Sequence, residues 1–160
     1  MIDGAFFVVV FAGALLCGLT AGALYAFSTF VMRALVSLPP PQGVAAMQAV
    51  NRTALSPWVM VAFAGGAVLS AVIVGFTLVS WPGSPGVLLL AGAGLYLFGT
   101  LGLSAVAHFP RNDALAEVDP AGPDTAGYWR TWAREWTRAN HVRTGAALAS
   151  CALYVLALAR

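Results

Sequence analysis

The chain has 160 residues, of which 60 % are hydrophobic and 9 % charged, with a formal net charge of +2. Soluble domains usually carry about 25 % charged residues, and no single soluble core of this size could hide so much apolar side chain, so the bilayer has to be part of the solvent. The few basic residues are balanced by acids, which argues against nucleic-acid binding, and no glycine-rich phosphate loop or Ser-His-Asp pattern is present.

Charge-free stretches mark the spans. No charged residue lies between Asp3 and Arg33, between Arg52 and His108, or between Arg143 and Arg160. Crossing about 30 Å of hydrocarbon takes about 20 mainly apolar residues. The turn Trp81-Pro82-Gly83-Ser84-Pro85-Gly86 divides the middle stretch in two. The expected fold is therefore all-α: an integral membrane four-helix bundle forming a single domain over residues 1–160, with spans at about 5–37, 58–80, 86–108 and 141–159.

The first span, with Asp3 rather than basic residues ahead of it, is too long for a secretory signal and reads as a retained helix. Pro39-Pro40-Pro41 stops it, and a short interfacial helix is expected over Gln42 to Thr53, with Asn51 near its end. Trp58 and Trp81 sit at the two ends of the second span, as an aromatic belt predicts. Small residues recur at four-residue spacing, Gly18, Gly22 and Ala26 on the first span and Ala67, Ala71 and Gly75 on the second, a pattern that favours close helix packing. Cys17 and Cys151 fall inside spans as small apolar residues, without a disulfide framework or Cys-x-x-Cys motif.

Beyond the third span, Asn112 reads as the N-cap of a short helix Asp113–Val118. Asp124 then opens a long helix running to Ala159, whose amino-terminal half is an amphipathic extension of the last span. At about 100° per residue, Tyr128, Trp129, Trp132, Trp136, Asn140 and Arg143 share one sector of that helix, and Arg130, Arg134, Arg138 and His141 another. The aromatic face also fits an interfacial girdle, and the arginine face a stripe meeting solvent or lipid phosphate. Arg143 lies deepest, and a charge at that depth needs a cavity or a partner. It is expected to turn into the bundle, lining a pocket with Asn140 and Trp136 and binding an anion or oxyanion; the alternative is that it snorkels to the interface.

The two loops richest in arginine, Pro39–Pro57 and Pro110–Asn140, share one side. The positive-inside rule puts them in the cytoplasm and both termini outside, in a membrane expected to be the bacterial inner membrane. His108 and His141 lie near that same surface; without a third ligand they make no recognisable haem or metal site, and no cofactor is expected.

Phe109-Pro110-Arg111-Asn112-Asp113-Ala114-Leu115, then Trp129, Trp136 and Asn140-His141-Val142-Arg143-Thr144, are the most specific stretches. Together with Tyr25-Ala26-Phe27-Ser28-Thr29-Phe30-Val31-Met32, Met47-Gln48-Ala49-Val50-Asn51-Arg52 and Pro57-Trp58, they resemble the anthrone oxygenase family of small four-helix membrane proteins. The resemblance runs from about Leu15 to Leu158, with departures at Arg33, where proline is expected, and at Arg111, where leucine is commoner.

The resemblance implies O₂-dependent oxidation of an anthrone-like, lipophilic aromatic through a base-generated enolate, without a required cofactor. That chemistry needs a base, donors for the enolate oxygen and an apolar slot. His141 or His108 would be the base. Arg143 and Asn140 would hold the oxyanion, with Asn112 reaching in from the loop. Tyr25, Trp129, Trp132 and Trp136 would form the slot, with Asn51 and His108 also among the substrate-binding candidates. On an ideal helix, however, His141 points away from Asn140 and Arg143. The alternative is a non-enzymatic membrane subunit that binds a partner or anionic lipid through its arginines. Expected partners are the bilayer and a lipophilic aromatic molecule, with a homo-oligomer left open and no nucleic acid.

Overall fold

A computed structural model describes Ile2 and residues 4–160; Asp3, placed by the sequence at the outer end of the first span, lies outside the described residues. The chain is all-α. Helix α1 runs Gly4–Ser37, α2 Pro40–Thr53, α3 Pro57–Val79, α4 Ser84–Ala116 and α5 Thr125–Leu158. All but α2 are long and apolar enough to cross a membrane, which makes this a membrane protein of four transmembrane helices. Helix α1 packs against α3 and α5, and α4 against α3 and α5, closing a four-helix ring.

The elements start and stop where local chemistry dictates. Pro40, Pro57 and Pro85 occupy first-turn positions, where their missing N–H has no helical partner to lose. The turn between α3 and α4 passes through Gly83 at φ +81°, a left-handed conformation that glycine adopts without steric penalty. Trp58 is 86 % exposed and Trp81 54 %, in keeping with rings facing a membrane boundary. Asp124 occupies the N-cap of α5, but its side chain makes no capping bond.

Two expectations are corrected. The break foreseen after His108 does not occur: α4 continues through Pro110 to Ala116, with Asn112 inside it rather than capping a helix Asp113–Val118. The reason lies in the preceding turns, which are π-helical over Leu95–Gly102 and Ser104–His108. The Phe109 N–H reaches back five residues to the Ser104 carbonyl, and Pro110 then sits in the first turn of the renewed α-helix. The foreseen small-residue rows are close-packed only in part: a Cβ on Gly18 would lie 3.2 Å from the Cys151 Sγ and Ala67 is buried, but Gly22 and Gly75 face open space. The closest approaches lie where α4 meets its neighbours: a Cβ on Gly99 would lie 2.7 Å from that of Ala146, and one on Gly66 2.6 Å from the Tyr96 hydroxyl.

The interior has three zones, in the same order along α1, α4 and α5. Val10, Cys17, Leu89, Tyr96, Ala147 and Tyr154 belong to an apolar cluster within the spans. Met32, Leu115, Trp129, Trp132 and Trp136 form a second cluster with Val44 and Met47 of α2. Between the two lie the buried polar residues Ser28, Thr100, Ser104, His108, Asn140, Arg143 and Thr144. Helix α2 is thus more than an interfacial strip: it covers the aromatic face of α5. Its Gln48 Nε2 donates to the Leu115 and Val118 carbonyls, both at 2.9 Å, tying down the end of α4 where intrahelical donors run out.

Candidate functional site

The polar zone is built from three helices. On α5, Asn140 and Arg143 are one turn apart, so both face the bundle, and Arg143 is only 6 % exposed. Its Nη2 donates to Asn140 Oδ1 at 2.6 Å and its Nη1 to Ser104 Oγ of α4 at 2.9 Å. Ser104 in turn donates to the Thr100 carbonyl, and Thr100 Oγ1 to the Arg143 carbonyl, closing a ring of bonds between α4 and α5.

Asn140 is held from the other side by α1. Its Nδ2 donates to the Leu24 carbonyl at 2.9 Å and to Ser28 Oγ at 2.8 Å, and Ser28 and Thr144 share a bond of 3.0 Å. Thr144 spends its own hydrogen on the Asn140 carbonyl, so in that pair Ser28 is the donor. Both amide hydrogens of Asn140 are therefore engaged, and it has none left for an oxyanion. Its Oδ1 accepts from the guanidinium. Ser28 lies within the π-helical turn Phe27–Val31 of α1, so both helices facing Arg143 widen at this level, a distortion frequent at functional sites.

Trp136 joins the polar zone to the aromatic one. Its indole N–H donates to Asn112 Oδ1 at 3.0 Å, the Arg143 Cζ lies 5.5 Å from its ring centroid, and His108 meets it edge-on at 5.1 Å. Phe27 packs on it at 5.7 Å, and the ladder continues through Trp132 to Trp129 with spacings of 6.0 and 5.5 Å. Trp132 is fixed by a 2.8 Å bond from Nε1 to the Arg111 carbonyl.

Among the described residues, three nitrogens of the polar zone have no hydrogen-bond partner: Nδ1 and Nε2 of His108, which is 1 % exposed, and Nε of Arg143. Among the described residues the one ion pair is Arg111 with Glu135, at 3.4 Å on the surface. Arg143 therefore has no carboxylate partner, and only two of the five N–H donors of a guanidinium are engaged. An imidazole and a guanidinium with open valences, packed on one indole, can move a proton and hold an oxyanion.

Several foreseen residues lie elsewhere. His141 is exposed on the outer face of α5, as its helical phase implies, and the enclosed histidine is His108. Tyr25 is 60 % exposed and takes no part in the slot. Asn51 lies in the last turn of α2 and shares no bond with Arg143 or Asn140. Arg111 folds back onto the Ala107 carbonyl at 2.8 Å and pairs with Glu135, above the site rather than in it. The hydroxyls Ser28, Thr100 and Ser104 were not foreseen. Thr100, Ser104 and His108, four residues apart, carried a legible signal in a polar stripe along one face of an apolar span.

No curated protein and no solved structure matches the chain. A family model described as anthrone oxygenase matches residues 58–153, more than half of the chain. That stretch holds His108, Asn112, Trp129, Trp132, Trp136, Asn140 and Arg143, with Ser28 of α1 and all of α2 outside it. Four transmembrane helices and this match make the chain an oxygenase-like membrane protein that belongs to the anthrone oxygenase family.

Proposed function

We propose that the protein oxidises a lipophilic, carbonyl-activated aromatic of the anthrone kind with O₂, using His108 as base and Arg143 as oxyanion holder. The observation that carries this reading is the pair of buried groups with unengaged nitrogens, His108 and Arg143, packed on the same Trp136 ring. His108 takes a proton from the CH₂ group opposite the substrate carbonyl, and the charge moves to the carbonyl oxygen, where Arg143 offers its free N–H groups. The enolate passes one electron to O₂, and the resulting radical and superoxide combine in a C–O bond. The proton returned from His108 completes a hydroperoxide. Loss of the second C–H proton with cleavage of the O–O bond releases water and leaves a new carbonyl. One O₂ thus becomes one carbonyl oxygen and one water. Asn140, Ser28 and Ser104 keep the guanidinium in place, and Trp136, Trp132 and Phe27 supply the apolar wall.

The purified protein in neutral detergent, given 9-anthrone, is expected to consume one O₂ per quinone formed, at a rate well above buffer. The enclosure of Arg143 and His108 favours a second reading, a non-enzymatic membrane subunit. A rate no different from buffer across a panel of anthrones would support that reading against the first.

We further propose that both termini face the outside of a bacterial inner membrane and that the Pro39–Pro57 and Pro110–Asn140 segments are cytoplasmic. Seven of the eight arginines lie in or beside these two segments, and basic residues near span ends resist translocation. Reporters fused to either terminus are expected to be active only outside the cytoplasm; activity confined to the cytoplasm would reverse the orientation.

A further inference from the structure

The face of α5 opposite the candidate site carries Arg130, Arg134, Arg138 and His141, all exposed. None of the arginines has an acidic partner among the described residues; Arg130 Nε merely donates to its own helix at Ala126, 3.2 Å away. Continuing down the same helix, Gly145, Leu148, Ala152, Val155 and Leu156 are exposed as well. At about 100° per residue these nine positions fall within a single sector of about 100°. The arginine stripe is therefore the direct upward continuation of the strip of α5 that faces lipid chains. At Gly145, just below His141, nothing lies within 4 Å of a Cβ position, so the strip is open there.

Helix α5 has 34 residues, a length of about 51 Å, against about 30 Å of hydrocarbon. Counting about 20 residues back from Leu158 sets the hydrocarbon boundary near Ala139. For an upright helix the Cα of Arg138 then lies about 1–2 Å above that boundary, Arg134 about 7 Å and Arg130 about 13 Å. The headgroup layer is only about 5–7 Å deep on each side. Arg138 and Arg134 are thus at phosphate level, directly above acyl-facing surface, and Arg130 is beyond it.

We propose that Arg134 and Arg138 form a binding surface for the headgroup phosphate of an anionic phospholipid whose chains lie along Gly145 and Leu148. The collinearity with the lipid-facing strip selects a lipid over a soluble acidic protein, which would have no reason to dock above acyl chains. Each arginine near an anionic surface contributes about fivefold in affinity.

The test releases the full-length protein from nanodiscs holding equal phosphatidylglycerol and phosphatidylcholine and counts retained lipids by intact-protein mass spectrometry. The wild type is expected to retain phosphatidylglycerol in several-fold excess. R134Q/R138Q is expected to approach an equal ratio, R130Q to keep most of the excess, and R134K/R138K to keep it too, since the charge remains. Circular dichroism in pure phosphatidylcholine checks that each variant is folded. No excess in the wild type, an excess unchanged in folded R134Q/R138Q, or abolition of the excess by inorganic phosphate at constant ionic strength would overturn the proposal.

Discussion

Replacing Arg143 by methionine is expected to lower the rate of anthrone oxidation by about 10²–10³ while leaving the thermal midpoint unchanged or higher. The two effects part because the guanidinium is enclosed without a carboxylate partner, with two of its donors engaged. Keeping a charge out of water without a counter-ion costs several kcal/mol, and an apolar side chain of similar length removes that penalty. What methionine forfeits is smaller: Asn140 Oδ1 loses its donor, at a cost of about 1–3 kcal/mol, while Ser104 Oγ loses one bond but keeps its own to the Thr100 carbonyl. Arg143→Lys gives the opposite pattern. The ammonium keeps the charge in the same enclosed place but, as a point donor, cannot replace the fork that reaches Asn140 and Ser104 together. It should fall below both wild type and methionine in stability and lose at least tenfold in rate. Thermal unfolding in detergent with parallel O₂ uptake decides. If methionine destabilises the protein more than lysine does, the guanidinium is a structural tie and the reading of Arg143 as an oxyanion holder falls.

The helices were legible because hydrocarbon tolerates so few charges: gaps in the charge pattern and the proline and glycine turns between them reproduce α1 and α3 to within a few residues, while the bounds of α5 came from Asp124 as its N-cap. The two faces of α5 were legible from 100° phase alone. Trp129, Trp132, Trp136, Asn140 and Arg143 are buried, and Arg130, Arg134, Arg138 and His141 are exposed, while Tyr128 at the edge of its sector is exposed too. What phase arithmetic could not supply is the effect of π-turns. Over Leu95–Gly102 and Ser104–His108 they widen the helix, and α4 passes Pro110 without breaking. A rule that proline ends a helix fails where the preceding turn is already widened.

The polar partners of Arg143 escaped for a different reason. Ser104, which accepts from Arg143, and Ser28, which accepts from Asn140, are small hydroxyls that look neutral in an apolar span. In a bundle, such residues are cheap to carry and able to bond across helices, which is the use made of them here. The docking of α2 on the aromatic ladder was likewise unforeseen, since Val44, Met47 and Gln48 find their neighbours only in three dimensions.

His141 and His108 were both candidate bases in the sequence, and the structure sets them apart sharply enough for a paired test. His108→Phe is expected to abolish most of the oxidation, a loss of about 10²–10⁴ for a general base, and His141→Phe to leave the rate within about twofold of wild type. Phenylalanine keeps the ring volume and the edge-on contact that His108 makes with Trp136 at 5.1 Å. It removes only Nδ1 and Nε2, neither of which has a partner in this enclosed site. Each buried polar atom left without a bond costs about 1–3 kcal/mol, so the phenylalanine variant should unfold at or above the wild-type temperature. A histidine kept there for packing would show no loss of rate on this exchange, and one kept for hydrogen bonding would show a loss of stability. Neither pattern matches a base, whose removal reduces turnover in a protein that is as stable or more so. Exposed His141 changes solvent contact alone on substitution, so a large drop in rate for His141→Phe with His108→Phe spared would transfer the base to the outer face of α5. It would also separate the oxidation from Trp136 and Arg143, since the reacting carbon would have to sit on the other side of the helix.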